Sequence, residues 1–231
     1  MLHMPNLQTI LLAIPVMLIS LTVHEYAHGR VAYACGDATA RNMGRLSLNP
    51  LKHLDPIGAI CMVVLGFGWA KPVPVHSRNL RNPRRDMAIV AIAGPIANLL
   101  LSLLGAFLWM LSIELGNRAL INGMLVYQST AFNLLNTLID FLGYFHIMNI
   151  TLAVFNLIPI PPLDGSRVLT QFLPPRLYFQ LMQYEQYFGI VLMLLVVLGS
   201  FTGFLSTVTG FISDGMLNLL SYIPFFSHVY L

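Results

Sequence analysis

LQTILLAIPVMLISLTVHEYAHGRVAYA, residues 7–34, is a long apolar stretch that carries His24, Glu25 and His28 in its second half. A helix needs about 20 residues to cross the hydrocarbon core of a bilayer, so this stretch is long enough to span one. Pro15 is expected to kink the helix, because proline removes a backbone hydrogen bond. The stretch therefore predicts a membrane-spanning helix with a polar site toward one end.

The composition of the whole chain also indicates a membrane protein. Of its 231 residues, 57% are apolar and 9% are charged, whereas a soluble domain usually carries about 25% charged residues. The net charge of +3 is spread along the connections between apolar stretches, which favours a role in membrane topology over nucleic-acid binding. The length fits one domain, so we expect a single membrane-embedded domain over residues 1–231.

Four apolar stretches are expected to span the membrane, over about residues 7–34, 87–113, 141–158 and 189–211. The apolar island at 57–70 is too short to span and contains three glycines. We interpret residues 57–76 as a short interfacial β-hairpin or re-entrant element, and we expect residues 128–140 to lie in the interface. The tail from residue 214 is left unassigned. The predicted fold is an all-α polytopic membrane protein with about four transmembrane helices.

Basic residues predict the orientation of these helices. Nine of the twelve Lys and Arg residues lie between Arg30 and Arg85, and Arg167 and Arg176 lie in a later connection. Because basic residues favour the cytoplasmic side, residues 36–85 and 160–185 are expected there, with both termini outside. We therefore expect a multi-pass protein of a cell membrane with its polar site toward the cytoplasm.

His24-Glu25-Tyr26-Ala27-His28 is an H-E-x-x-H motif. Residues four apart share one face of a helix, so the two imidazoles can bind one Zn²⁺ ion with Glu25 as general base. A chance match in a chain of this length arises on the order of 1% of the time. Ordinary polar packing is the alternative, but ionisable groups this close together in an apolar helix need a compensating partner. We predict one zinc ion per chain.

A third zinc ligand must come from elsewhere in the chain. The metzincin extension of the motif fails, because Ala34 stands where a third histidine would be. Asp164 follows the third predicted span and lies at the same membrane level as His28. An aspartate before Gly165 is by itself typical of a turn, but the H-E-x-x-H motif at the same depth favours a ligand.

Three motifs in this order resemble the site-2 protease family of intramembrane zinc metalloproteases. They are residues 24–28, the segment AGPIAN at 93–98 and the segment NLIPIPPLDG at 156–165, and the resemblance covers roughly residues 15–170. It implies His24, His28 and Asp164 as zinc ligands and Glu25 as the catalytic acid–base. Asn156 and Asn98 are the matching candidates for positioning or binding a substrate.

The resemblance also implies a substrate class. Family members cut single-pass membrane segments, so the expected partners are a transmembrane protein or peptide substrate and the lipid bilayer, with no nucleic acid. We see no room for an inserted PDZ domain or an appended nucleotide-binding module, so the chain resembles the minimal prokaryotic branch. The rival interpretation is a metal-ion transporter or metal-sensing membrane protein. Transporters usually place their site near the membrane midplane, whereas these ligands lie toward one end.

Two further groups of residues have open interpretations. In the extended segment 69–75, Pro72 and Pro74 remove donors from one side, while Val73 keeps its N–H and C=O on the other side, where a substrate strand could bind. The prolines could equally only protect an exposed edge. His146 and Asn149 share a helix face with Asn156, and they could line a water path or join helices by hydrogen bonds.

Overall fold

The structure is a computed structural model that describes residues 7–65, 68–174, 176–177 and 183–226. Helices dominate this part of the chain. They are α1 (Leu7–Ala34), α2 (Thr39–Asn42), α3 (Pro56–Leu65), α4 (Pro83–Ile121), α5 (Thr130–Asn156), α6 (Asp164–Thr170), α7 (Glu185–Val197) and α8 (Thr202–Ser221). Single 3₁₀ turns form at Pro50–Lys52, Ser77–Asn79 and Pro224–Phe226. The predicted all-α membrane protein is confirmed.

Three helices of the described chain are long and apolar enough to cross a membrane: α4, α5 and the Leu11–Ala34 part of α1. The expected count of four is not supported, because the predicted span at 189–211 is divided between α7 and α8. Gly199 lies between these two helices with a φ of +71°. Glycine adopts this left-handed conformation without a steric penalty and commonly ends a helix there.

Of the two alternatives for residues 57–76, the described residues do not support the β-hairpin. Residues 56–65 form α3, and the described residues contain only an isolated bridge between Leu54 and Ala70 and no strand. The Asp55 carboxylate accepts the N–H of Gly58 at 2.9 Å, which is an N-terminal cap, and Pro56 is the first helical residue. Both are helix-start signals that outweigh the glycines of the island.

The segment at 128–140 is not a separate interfacial element. Its residues from Thr130 onward are the first part of α5, and the Ser129 hydroxyl caps that helix by accepting the N–H of Phe132 at 3.2 Å. α4 likewise extends beyond the predicted 87–113 at both ends.

α4 is the central helix of the fold and packs against both α1 and α5. α8 packs against one end of the α4–α5 pair. The tail from residue 214, which the sequence left unassigned, therefore contributes to the core up to residue 226. The core cluster of this end consists of Ala106, Met110, Leu217, Leu220 and Phe226. At the opposite end, the last turns of α1 and the first turns of α4 meet the chain that follows α5. His24, His28 and Asp164 come together there.

Candidate metal centre

His24, His28 and Asp164 converge on one point. The Nε2 atoms of the two histidines lie 3.0 Å apart, because the residues are one helical turn apart on the same face of α1. Asp164 Oδ2 lies 3.1 Å from His24 Nε2 and 3.2 Å from His28 Nε2. Both imidazoles are buried. The structure thus brings together the three residues that the sequence proposed as ligands.

The other ring nitrogens fix how the imidazoles are protonated. His28 Nδ1 lies 2.7 Å from the carbonyl oxygen of Val90, and His24 Nδ1 lies 2.5 Å from Asn98 Oδ1. Oxygens of this kind only accept, so each Nδ1 carries a hydrogen, and each ring in its neutral form keeps a lone pair on Nε2. In that form two lone pairs and a carboxylate oxygen face one another, which is a donor set suited to a cation.

A zinc ion fits this donor set. Zinc lies about 2.0–2.2 Å from the histidine nitrogens and carboxylate oxygens that bind it. In a tetrahedral site, two ligand atoms at this distance from the ion lie roughly 3.3 Å from each other. The observed separations of 3.0, 3.1 and 3.2 Å are close to that value. Three protein ligands also leave a fourth position free, as catalytic zinc sites do.

Gly94 of α4 makes room for the two imidazoles. A Cβ atom at this position would lie 2.5 Å from His28 Nε2 and 2.6 Å from His24 Cε1. Gly94 therefore packs directly against the site. No larger residue leaves this space.

Asp164 is both the first residue of a helix and part of the site. It begins α6 immediately after the proline-rich chain that follows α5. The turn is tight, because a Cβ atom on Gly165 would lie 2.2 Å from the carbonyl oxygen of Leu157. The turn that the sequence suggested is therefore what carries the Asp164 carboxylate to the histidines.

Glu25 shares a cavity of about 710 Å³ with these three residues. Its Oε2 accepts the backbone N–H of Val73 at 2.7 Å. Asn156 also lines the cavity, and its amide donates to the carbonyl oxygen of Leu152 at 2.9 Å. Asn98 is fully buried behind His24, and it contacts the imidazole rather than the cavity.

The extended segment that holds Val73 is fixed at several points. The Lys71 N–H donates to the carbonyl oxygen of His53 at 2.8 Å, and Arg45 Nη2 donates to the carbonyl oxygen of Lys71 at 2.8 Å. The His76 N–H donates to Asp37 Oδ2 at 2.6 Å. The donors of Lys71 and Val73 are thus used within the protein, which leaves Val73 as a residue that positions Glu25.

Sequence reasoning missed Asp37, which is fully buried and organises this region. Burial raises the pKa of Asp37, but hydrogen bonds from the Thr39 hydroxyl, the His76 N–H, the Asn79 amide and the Thr39 N–H outweigh it and lower the pKa to about 2. The available signal was Asp37-Ala38-Thr39, an aspartate two residues before a hydroxyl residue, which is typical of a local side-chain turn.

His146 lies apart from the ligands. Its Nδ1 is 2.7 Å from the Ser102 hydroxyl and its Nε2 is 2.9 Å from the Ser213 hydroxyl, and the ring stacks on Trp109. It therefore joins α4, α5 and α8 by buried hydrogen bonds, which is the interhelical role rather than the water path.

Comparison with known proteins agrees with this arrangement. YwhC of Bacillus subtilis (strain 168), whose name describes it as a zinc metalloprotease, is 43% identical over 187 residues, which cover 80% of each chain. Rip2 of Mycolicibacterium smegmatis (strain ATCC 700084), named in the same way, is 32% identical over 192 residues, which cover 80% of this chain and 67% of Rip2. No solved structure gives a significant match.

The family comparison covers most of the chain. The sequence model described as peptidase family M50 matches residues 12–198, a range that includes most of α1, the whole of α4 and α5, and all four residues of the candidate centre. These findings favour a protease over the rival metal transporter. This chain therefore belongs to peptidase family M50, the site-2 protease family of zinc-dependent membrane metalloproteases.

Proposed function

We propose that this protein is an intramembrane endopeptidase that hydrolyses peptide bonds in or near the transmembrane segments of membrane proteins. His24, His28 and Asp164 hold one zinc ion, and Glu25 is the general base. The observation that carries the proposal is the unbalanced group of two Nε2 lone pairs and one carboxylate oxygen, which shares a cavity with Glu25 on a membrane-spanning helix. The whole chain acts as one membrane-embedded protease domain.

The chemistry follows from the positions of these side chains. Bound zinc would supply positive charge that acidifies a water molecule and polarises the scissile carbonyl. Glu25 takes the proton of the attacking water and then delivers it to the leaving amine. The Val73 N–H holds one oxygen of the Glu25 carboxylate, so the other oxygen is left to face the water. The Nδ1–H bonds of the histidines keep both Nε2 lone pairs aimed at the ion.

We further propose that the site lies in a cell membrane, near its cytoplasmic face. His28 is six residues from the end of α1, which at 1.5 Å per residue is about 9 Å along the helix axis. The adjoining connection holds most of the basic residues, and these favour the cytoplasmic side. A site near the helix end has a short path to water, which hydrolysis consumes.

The proposed substrate is a transmembrane segment that is locally unwound. A helix keeps its carbonyl groups in its own hydrogen-bond ladder, so a helical bond must be released before attack. The cavity has room for an extended segment, and Asn156 lies on its wall. Asn156 would position the substrate there by its side-chain amide. Residues that weaken a helix should favour cleavage, because they reduce the cost of unwinding.

The proposal is tested with purified protein in lipid vesicles and a single-pass peptide carrying fluorophores on its two ends. The wild type should cleave the peptide, and Glu25→Gln should bind zinc but leave the peptide intact. Asp140→Asn is the matched control, because Asp140 is an exposed carboxylate on α5 outside the cavity, and this variant should cleave. Cleavage by Glu25→Gln at the wild-type rate would exclude Glu25 as the base. Zinc flux across the vesicles without cleavage would instead support a transporter.

A further inference from the structure

We propose that Asn149 is a positioning residue that fixes the tautomer of His24 through Asn98. The inference rests on the proposed function, since it concerns how a zinc ligand is held ready. Asn149 is on α5, Asn98 is on α4 and His24 is on α1, so the relay crosses all three candidate membrane spans. None of the three contacts depends on residues outside these helices.

The relay consists of three consecutive hydrogen bonds. The Asn149 amide donates from Nδ2 to the carbonyl oxygen of Phe145 at 2.8 Å, and its Oδ1 accepts from Asn98 Nδ2 at 2.8 Å. Asn98 Oδ1 in turn lies 2.5 Å from His24 Nδ1. Asn98 Nδ2 also faces the carbonyl oxygen of Ser20 at 3.3 Å.

Backbone carbonyl groups at two points give the relay a single direction. The Phe145 carbonyl oxygen can only accept, so the NH₂ group of Asn149 must face it and the Asn149 oxygen must face Asn98. The NH₂ group of Asn98 therefore faces Asn149, and the Ser20 carbonyl oxygen requires the same orientation. The Asn98 oxygen is left to face His24, whose Nδ1 must carry the hydrogen and whose Nε2 must keep its lone pair.

Burial leaves the two asparagine amides no alternative orientation. Asn98 and Asn149 are both 0% exposed, so water cannot replace a missing partner. A reversed Asn98 amide would place two donors or two acceptors together, and such a mismatch costs about 1–3 kcal/mol in a buried site. Only one arrangement of the two amides is therefore compatible with all of these contacts.

The second histidine needs no relay. His28 Nδ1 faces the backbone carbonyl of Val90 directly, and a backbone carbonyl cannot flip. The contact of His24 is with a side-chain amide, which can rotate by 180° when nothing holds it. The loss of Asn149 should therefore disturb His24 and leave His28 unchanged, so the two ligands serve as an internal control for each other.

The test compares Asn149→Leu with Asn149→Asp. Leucine removes both polar groups at similar size, so only the longer 3.3 Å contact with the Ser20 carbonyl oxygen still holds the Asn98 amide. We expect that amide to flip and present NH₂ to His24, which then carries its hydrogen on Nε2. A protonated aspartate donates its O–H to the Phe145 carbonyl oxygen and keeps its other oxygen facing Asn98 Nδ2, so this variant should retain the wild-type behaviour. Thr151→Val is the control, because Thr151 is a nearby polar residue of α5 that bonds the carbonyl oxygen of Ile147 and takes no part in the relay.

Two readouts decide the question. Chelator competition should show zinc affinity about tenfold weaker in Asn149→Leu, with Asn149→Asp and Thr151→Val close to the wild type. Nitrogen NMR of the metal-free protein, recorded at a pH where both imidazoles are neutral, should show His24 protonated on Nδ1 in the wild type and on Nε2 in Asn149→Leu. The same spectra should show His28 protonated on Nδ1 in every variant.

The proposal is overturned if folded Asn149→Leu keeps wild-type zinc affinity and an Nδ1-protonated His24. It is also overturned if the neutral His24 ring of the metal-free wild type carries its single hydrogen on Nε2. This second result does not depend on the folding of any variant. Failure of the proposed function has a different signature, namely a wild type that binds no zinc. The NMR readout on the metal-free protein still decides the relay in that case.

Discussion

The carboxylate of Glu25 accepts the backbone N–H of Val73 at 2.7 Å, which links the proposed general base to the extended chain after α3. A main-chain donor has no rotamers of its own, so it restricts the carboxylate more than a long side chain would. Lys71 and His76 on either side are held by His53 and Asp37, and these contacts keep the donor in place. The orientation of Glu25 thus depends on a loop far away in sequence.

Val73→Pro removes this donor while keeping an extended backbone. Turnover should fall by at least about tenfold, because Glu25 loses its orientation as general base, while zinc content stays normal. Val73→Ala is the matched control, since it keeps the N–H and should retain turnover near the wild-type value. Peptide cleavage and metal analysis on the same samples measure both effects. Equal turnover in the two variants would show that the hydrogen bond has no role in positioning Glu25.

Gly94→Ala should abolish most zinc binding. The added methyl group would lie 2.5 Å from His28 Nε2, so one imidazole must move away from the donor cluster. Gly203→Ala is the control, because a Cβ atom there meets no atom within 4 Å and the position is also helical. Metal analysis after purification is the measurement. A Gly94→Ala protein with full zinc would mean that the imidazoles do not lie against α4 as described.

Acid should weaken the fold through Asp37. Its pKa is lowered in the folded protein from the ordinary 3.8 to about 2, so the ionised carboxylate stabilises the fold above pH 4. That contribution of about 2 kcal/mol is lost as the pH falls from about 4 to about 2. Thermal unfolding across this range should show a wild-type advantage over Asp37→Asn that shrinks toward pH 2. An advantage that does not change between pH 7 and pH 2 would contradict the assignment.

Topology can be read by labelling with a membrane-impermeant thiol reagent. In a background with Cys35 and Cys61 replaced by alanine, Arg41→Cys and Arg176→Cys should be protected from outside, because basic connections stay cytoplasmic. Met124→Cys lies in the exposed turn between α4 and α5 and should be labelled. The reverse pattern in intact cells would invert the orientation and place the metal centre on the outer side.

The sequence predicted the centre better than the fold around it. The spacing of His24 and His28 and the position of Asp164 are local signals, and the structure brings the three together. The glycines of residues 57–70 favour a hairpin or re-entrant element in the sequence, but Asp55 and Pro56 begin a helix there. Gly199 gives no hydropathy signal, so the break between α7 and α8 was missed. Contacts such as that of Asn149 with Asn98 depend on helix packing, which no motif specifies.

The central claim is that His24, His28 and Asp164 hold zinc while Glu25 performs the chemistry, and zinc stoichiometry tests it most directly. Metal analysis of purified protein should find one zinc ion per chain in the wild type and in Glu25→Gln. Asp164→Ala should lose most of the metal, whereas Asp140→Ala, which removes an exposed carboxylate, should keep it. Full zinc occupancy in Asp164→Ala, or none in the wild type, would contradict the account.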